Sequence, residues 1–191
     1  MRTGTERRTV DGLPIPAPGV LAVDPAHSSI EAVVRHLVIA KVRGRFTSFG
    51  GLVHVAEDPM QSWAEVTIDA ASIDTGEPDR DEHLRSADFL DVKRYPTIEF
   101  RTTFLSKTGR GRFQSGGDLT MRGSTHPVVV ECEYRGLATD LQGNERLVLT
   151  AESEIDRTRW GLTWNQALET GGVVVSAEVQ VQAEIQAVRQ P

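Results

Sequence analysis

The last part of the chain alternates apolar and polar residues with a period of two. Between positions 173 and 187 every odd position is apolar, and from Ser176 onward every even position is polar. This pattern is typical of a β-strand with one dry face and one wet face. At ~3.4 Å per residue the segment would extend ~50 Å, which is longer than flat strands usually run. The alternation therefore predicts a long strand that has to curve.

The same alternation recurs along most of the chain from Val20 onward. Short polar or glycine-bearing links separate the alternating segments, as between consecutive strands of an antiparallel sheet. Together with the last segment they predict an all-β fold of about eight strands, closed into a barrel or folded as a sandwich. The other predicted strands are 28–34, 46–55, 63–70, 97–104, 113–122, 126–134 and 147–155.

Glycine pairs mark two special points in this pattern. Gly50 and Gly51 fall inside a predicted strand, which indicates a β-bulge or a barrel corner. Gly171 and Gly172 stand just before the last strand and predict a bend there.

One segment, 75–91, favours a short helix. Pro78 suits the first helical turn, and acidic residues near it match the positive end of the helix dipole. Helical spacing puts Arg80, His83, Leu84 and Ala87 on one face, and predicts surface pairs between Asp81 and Arg85 and between Asp79 and His83. We expect this helix to plug or rim one end of the barrel.

Residues 1–19 precede the strands and form a polar, proline-rich arm. Its prolines lack amide donors and favour extended polyproline geometry, so we expect a loose arm laid over a barrel domain of residues 20–191. No signal-like apolar core and no run of ~20 apolar residues is visible, which makes a cytoplasmic protein without stable membrane insertion the default expectation.

Charge and cysteine content exclude several classes of function. The chain carries 21 Lys+Arg against 27 Asp+Glu, a net charge of −6 without a basic block, which argues against nucleic acid as a partner. Its single cysteine, Cys132, excludes an internal disulfide and a cysteine metal cage. Five scattered histidines show no ligand spacing, so we expect no metal and no cofactor.

Many inward positions of the predicted strands are small, and aromatic residues make up only 6% of the chain. An eight-stranded barrel is just wide enough to be filled by large side chains or to hold one small ligand. Small inward residues favour a cavity, although they would also fit a tapering, filled barrel. These small residues are Ser115, Gly117, Ala151, Ser153, Ala177, Ala183 and Ala187.

Several polar motifs occur in a fixed order along the chain, whereas the common nucleotide, zinc-protease and serine-hydrolase motifs are absent. The segment 24–28 reads D-x-x-H-S, and 80–89 reads R-D-x-H-L-x-S-x-D-F, followed by Y-P-x-I-x-F at 95–100. G-x-L-T-x-R-G occupies 117–123, and I-x-R-x-x-W-G occupies 155–161. Together these motifs resemble the YceI family of lipocalin-like polyisoprenoid-binding proteins, over roughly residues 20–188.

The resemblance implies an eight-stranded antiparallel lipocalin-like barrel with a tunnel that holds a long-chain isoprenoid, such as a quinone or a polyprenyl phosphate. Each buried methylene would contribute ~0.8 kcal/mol. Each candidate lining residue could equally be plain core. The candidates for the lining are Ile30, Val34, Phe46, Phe49, Leu84, Phe89, Phe100, Phe104, Leu119, Met121, Val130 and Trp160.

Arginine can grip a phosphate with two parallel hydrogen bonds, and a neutral histidine can donate to a quinone carbonyl. Candidates for the polar head group are His27, His36, Arg80, His83, Arg157 and Arg159, each of which could instead have a purely structural role.

Two other functions stay open at this point. A filled barrel could serve as a protein-interaction module, and edge strands or the arm could support a homodimer. An enzyme acting on a prenyl lipid would use Asp81, His83 and Ser28, but on a helix residues two apart point away from each other. We therefore expect a non-enzymatic binding protein that transports or stores its ligand.

Overall fold

A computed structural model describes residues 8–37, 40–167 and 174–189, and most of them lie in β-strands. The strands are β1 (Arg8–Val10), β2 (Leu13–Ile15), β3 (Gly19–Val23), β4 (Ser29–His36), β5 (Ala40–Phe46), β6 (Phe49–Val55), β7 (Trp63–Asp69), β8 (Ile73–Asp74), β9 (Thr97–Gly109), β10 (Arg112–Met121), β11 (Ser124–Thr139), β12 (Glu145–Asp156) and β13 (Val175–Arg189). Helix α1 spans Pro78–Arg85, and short 3₁₀ turns cover Pro59–Gln61, Ala70–Ser72 and Arg157–Trp160.

The strands form a closed antiparallel barrel. A ring of hydrogen-bonded neighbours runs β3-β6-β7-β9-β10-β11-β12-β13 and returns to β3. Strands β4, β5 and β8 prolong the sheet at one end, where β4 pairs with β13 and β5 pairs with both β4 and β8. The alternation leaves a barrel or a sandwich open, and the eight-stranded antiparallel barrel that the resemblance implies is confirmed.

One edge of the long last strand, β13, pairs with two different strands in succession. It pairs with β12 along almost its whole length, while its other edge pairs first with β4 and then with β3. The change of partner falls at the corner 24–28, where the Asp24 amide donates to the Gln186 carbonyl at 2.8 Å and the Gln186 amide donates to Ser28 Oγ at 2.9 Å. The predicted bend at Gly171 and Gly172 lies outside the described residues.

Charged side chains hold this corner together. The Arg146 guanidinium donates to the Asp24 carboxylate at 2.6 Å and to Asp140 at 3.1 Å, and His27 Nδ1 lies 2.8 Å from Asp24. The hydrogen bond from Arg146 lowers the pKa of the Asp24 carboxyl group. The D-x-x-H-S motif is therefore used to fix the corner, and His27 is part of that structure.

The predicted inward position of Phe104 is wrong because β9 contains a bulge. The register with β10 shifts between Gly116 and Gly117, so that Thr102 and Phe104 pair with consecutive residues and the alternation reverses at Thr103. Phe104 consequently faces outward and is 53% exposed.

Of the two interpretations of Gly50 and Gly51, a bulge or a barrel corner, the bulge does not occur against β7, since β6 and β7 keep one register from Phe49 to His54. Glycine is required at position 51 for a different reason, because a Cβ there would lie 2.2 Å from the Glu65 carbonyl oxygen. Strand β7 thus approaches too closely for any side chain at this position.

Helix α1 covers one end of the barrel, and it is shorter than the predicted segment. Asp81 is buried and accepts hydrogen bonds from the amide and hydroxyl of Thr75 at 2.9 and 2.5 Å. Arg85 donates to the carbonyls of Ala71 and Ile73 at 2.7 and 2.6 Å. The predicted pair of Asp81 with Arg85 does not form because backbone groups of the preceding loop take both side chains.

Residues 8–15 of the arm form a β-hairpin instead of the polyproline geometry expected there, and residues 1–7 lie outside the described part of the chain. Strands β1 and β2 pair from Arg8 opposite Ile15 to Val10 opposite Leu13. Asp11 and Gly12 form the turn with φ values of 53° and 72°. An Asp-Gly pair is favoured in such two-residue turns because both positions need positive φ.

Candidate ligand-binding cavity

The barrel encloses a cavity of about 330 Å³, near the lower end of the ~300–1,000 Å³ typical of small-molecule pockets. Inward residues of β6, β7 and β9 to β13 form its wall. Four of the small residues that predicted a gap, Ser115, Ala151, Ser153 and Ala183, line it. The barrel is therefore hollow where those strands place small side chains toward the axis.

Other predicted small positions do not widen the cavity. The ring of Phe100 lies over Gly117, where a Cβ would be 2.3 Å from Phe100 Cε2. Ala187 is fully buried in a core cluster with Leu21 and Leu147. Ala177 does not line the cavity.

A hydrophobic cluster closes the cavity at the end covered by α1. Trp160, which is 1% exposed, packs there with Phe89 and Leu162, and its indole donates to the Leu119 carbonyl at 3.0 Å. Ile155 belongs both to this cluster and to the cavity wall. The cluster is thus the floor of the cavity.

Polar groups inside the cavity are bonded to the protein itself. The hydroxyls of Thr102 and Ser115 lie 3.3 Å apart, and Thr102 also accepts from the Ala64 amide at 3.1 Å. Ser153 donates to the Val129 carbonyl at 2.8 Å. Burial raises the pKa of the Cys132 thiol to about 12, so the thiol is neutral at physiological pH. This wall suits a hydrocarbon guest, since a buried polar group without a partner is costly.

The charged residues that border the cavity are all exposed to solvent. Asp11 belongs to the turn of the N-terminal hairpin, while Lys107 and Arg112 flank the turn between β9 and β10. Glu152 lies between the inward residues Ala151 and Ser153 and so faces outward. The charged residues that border the cavity therefore lie at its mouth and on the outer surface.

The N-terminal hairpin borders the mouth. Val10, Leu13 and Ile15 line the cavity from its outer end. The Tyr134 hydroxyl, whose pKa burial raises to about 12, donates to the Pro14 carbonyl at 2.5 Å. These contacts join the hairpin to β11 above the cavity wall.

The structure brings some predicted lining residues together and separates others. Ile30, Phe100, Leu119 and Val130 line the cavity. Phe89, Met121 and Trp160 are members of the floor cluster, and Val34, Phe46 and Leu84 pack against it. Phe49 packs against the second cluster, around Leu21, and Phe104 lies on the outer surface.

The predicted head-group residues do not line the cavity. His27 belongs to the Asp24 corner at the start of β12, whereas the other five lie on the side of the floor. Arg80 donates to the hydroxyl and carbonyl of Thr75 at 2.7 and 3.1 Å. His83 lies 3.0 Å from Asp88, which replaces the predicted Asp79 pair, and its ring contacts those of Phe89 and Trp164. His36 ends β4 opposite Ala40.

Arg157 and Arg159 are bound to backbone carbonyls at the same end. Arg157 is 4% exposed and donates to the carbonyls of Leu162 and Ser176 at 2.5 and 2.8 Å, and more weakly to those of Trp164 and Val175. Burial lowers its pKa. Arg159 is exposed and lies 3.4 Å from the Pro127 carbonyl.

Sequence reasoning missed the residues at the mouth. Leu105 and Lys107 follow the bulge in β9, so the simple alternation assigns them to the wrong face. Val10, Leu13 and Ile15 belong to the hairpin, for which the Asp11-Gly12 dipeptide between apolar residues was the available signal.

The described residues contain neither a metal-binding cluster nor a membrane-spanning helix. Within 8–37, 40–167 and 174–189, His, Cys, Asp and Glu form no group of three that could hold a metal ion. In the same ranges α1 is the one α-helix, and it is too short and too polar to cross a membrane.

Comparison with known proteins places this barrel among relatives of the same architecture. A UPF0312 protein of Vibrio cholerae is 34% identical over 146 residues, covering 75% of this chain and 76% of the relative. A UPF0312 protein of Staphylococcus aureus is 33% identical over 162 residues, covering 84% and 92%.

Solved structures share the fold. BcnA of Burkholderia cenocepacia superimposes with a TM-score of 0.74 at 25% identity, covering 86% of this chain and 99% of its own. A polyisoprenoid binding domain from Saccharophagus degradans gives 0.69 at 14% identity, covering 91% and 100%. The profile of the YceI-like domain matches residues 21–187, and this chain therefore belongs to the YceI-like family.

Proposed function

We propose that this protein binds the hydrocarbon tail of a long-chain isoprenoid in its barrel and acts as a carrier or store without changing the ligand chemically. The observation that carries this proposal is the hollow apolar interior, about 330 Å³ in volume, whose polar groups are already bonded to the protein. Support also comes from the polyisoprenoid binding domain of S. degradans, which has the same fold.

The energetics suit an uncharged tail. At ~0.8 kcal/mol for each buried carbon, one five-carbon isoprene unit contributes about 4 kcal/mol. Three units would give about 12 kcal/mol before the cost of association, which is itself roughly 4–15 kcal/mol. Burial of a few isoprene units can therefore offset the cost of association. Contacts to the head group would add to the affinity that the tail provides.

A non-catalytic role fits the position of the acid–base residues. Asp81 is held by Thr75, and His83 is held by Asp88 beside Trp164. Neither residue borders the cavity. A guest in the barrel would be separated from both by the floor cluster.

The test is a pair of matched leucine substitutions on β13. Ala183 lines the cavity and Glu184 is its exposed neighbour on the outer face. Ala183→Leu adds bulk inside the cavity, so it should weaken binding of farnesol at least several-fold, measured by tryptophan fluorescence titration, while Glu184→Leu should bind as the wild type does.

Organic extraction and mass spectrometry of the purified protein complete the test. The proposal expects a long-chain isoprenoid at near one molecule per chain, and less of it from Ala183→Leu. Failure to bind farnesol or any longer prenyl alcohol, together with an extract free of lipid, would overturn the carrier function and favour the interaction module.

A further inference from the structure

The N-terminal hairpin lies across the open end of the cavity and presents an apolar face to it. Val10, Leu13 and Ile15 all line the cavity, and Leu13 Cδ1 lies only 3.0 Å from where a Cβ on Gly111 would stand in the β9–β10 turn. These residues precede the range 21–187 that matches the YceI-like domain. The hairpin thus lies outside the part of the chain that matches the YceI-like domain.

The hairpin is attached firmly at its base. Arg8 donates to the carbonyls of Ala56 and Glu57 at 2.6 and 2.7 Å. Arg189 of β13 donates to the carbonyl of Ala17 at 2.5 Å. These charge-assisted bonds hold the two ends of the hairpin to the barrel rim.

The tip is attached by a weaker kind of contact. At the turn, the carboxylate of Asp11 pairs with the ammonium group of Lys107. Their side chains are 35% and 48% exposed, and exposed ion pairs contribute only ~0.2–1 kcal/mol. Breaking this ion pair therefore costs little, and the tip is then held by the apolar contacts of Val10 and Leu13 and by the Tyr134–Pro14 hydrogen bond.

Three cationic side chains of the barrel lie close together at this ion pair. Lys107, Arg110 and Arg112 all flank the β9–β10 turn, and Arg110 Nη2 lies 3.6 Å from where a Cβ on Gly12 would stand. Within the part of the chain that the structure describes, neither arginine has a carboxylate within ion-pair distance. Asp11 is the one carboxylate paired with this cluster there.

We propose that the β1–β2 hairpin is a lid over the cavity, and that an anionic head group opens it by taking the place of Asp11 at Lys107. This inference rests on the proposed binding of an isoprenoid tail in the barrel, and it narrows the ligand to acidic amphiphiles, such as prenyl phosphates or prenyl carboxylates. Lys107 already holds a carboxylate at the mouth, so a phosphate or carboxylate attached to a tail in the cavity meets the same ammonium group.

The lid is tested without any ligand, through the single cysteine. Cys132 lines the cavity, so its rate of reaction with N-ethylmaleimide reports access from the mouth. Asp11→Asn and Lys107→Gln each remove the tip contact and should raise that rate by about 1.5- to 5-fold, as expected for an exposed ion pair. Glu65→Gln is the matched control, because it removes the exposed pair with Arg101 on the outer surface, and it should leave the rate unchanged.

The replacement of Asp11 by an anionic head group at Lys107 is tested with two ligands that differ only in the head group. Farnesyl phosphate should bind the wild type more tightly than farnesol, Lys107→Gln should remove that preference, and Asp11→Asn should raise the affinity for farnesyl phosphate by about 1.5- to 5-fold. Farnesoic acid shows whether a carboxylate suffices in place of the phosphate.

The outcomes separate this inference from the proposed function. If farnesol binds in the barrel but neither Asp11→Asn nor Lys107→Gln reacts faster than the wild type and the Glu65→Gln control, the lid is overturned and the carrier function stands. If farnesyl phosphate and farnesol bind equally to the wild type and to Lys107→Gln, the exchange is overturned. If no prenyl compound binds at all, the carrier function fails, and the cysteine rates alone decide whether the hairpin is a lid.

Discussion

Two adjacent glycines in β10 should respond very differently to substitution by alanine. Gly117 faces the interior, where an added Cβ would lie 2.3 Å from the ring of Phe100 and 2.8 Å from the Arg101 carbonyl oxygen. Gly116 faces outward, where an added Cβ would lie 1.9 Å from the ring of Phe104. The difference lies in how easily each ring can move away.

The expected costs follow from these surroundings. Phe104 is 53% exposed and can swing into solvent, and alanine in a strand recovers ~0.5–1 kcal/mol relative to glycine. Gly116→Ala should therefore change the free energy of unfolding by less than ~1 kcal/mol. At Gly117 the backbone carbonyl cannot yield in the same way, and inserting a methyl group into packed structure costs ~1–3 kcal/mol.

The same substitution at Gly117 should also affect the cavity. Because the ring of Phe100 can move only toward the barrel axis, Gly117→Ala should lower the affinity for farnesol, whereas Gly116→Ala should not. Urea unfolding gives the stabilities and fluorescence titration gives the affinities. Equal destabilisation by the two substitutions, or unchanged farnesol binding by a stable Gly117→Ala variant, would refute the assignment of Phe100 to the cavity wall.

Three further predictions concern single side chains. Because burial raises the Cys132 pKa to about 12, its alkylation rate should keep rising about tenfold per pH unit from pH 8 to 11, and a plateau near pH 9 would contradict the burial. Arg157→Met should lower the free energy of unfolding by ~3 kcal/mol or more in urea, since it leaves the buried carbonyls of Leu162 and Ser176 without a donor, and Arg157→Lys should recover only part of this loss. Arg146 lowers the pKa of the Asp24 carboxyl group in the folded protein. The stability that this carboxylate contributes is therefore present above pH ~4 and is lost as the pH falls through the lowered pKa. Asp24→Asn should remove this part of the acid dependence, measured by urea unfolding at pH 2–6.

The strands and their inward faces could be predicted from the alternation of apolar and polar residues, which leaves a barrel or a sandwich open. The resemblance to the YceI family implies the hollow barrel. Ala151, Ser153 and Ala183 were assigned to the inner face, and they line the cavity. Alternation gives the face of the sheet, but it does not give the height along the barrel axis. Phe89 and Trp160, which lie outside the predicted strands and are tunnel candidates only through the resemblance, form the floor instead.

Other errors arose where the local pattern is interrupted. The extra residue in β9 reverses the alternation after Thr102, and nothing in the sequence around Thr103 marks a bulge. Arg157 was considered as a phosphate ligand because the sequence does not show which carbonyls will be left without partners at the floor. Once the 3₁₀ turn places those carbonyls around it, they occupy the whole guanidinium group.

The charged side chains at the floor and at the mouth of the barrel are bonded differently, and this difference would set the orientation of a bound lipid. At the floor, the two buried groups Arg157 and Asp81 are bound to backbone carbonyls and to Thr75, respectively. At the mouth, Lys107 is paired only with a carboxylate on a movable hairpin tip, and two arginines stand beside it. A charged head group at the floor would have to lose its hydration against an apolar cluster, which costs several kcal/mol, whereas at the mouth it stays partly hydrated and meets a cation. Under the proposed function the tail therefore enters first, and the head group remains under the hairpin.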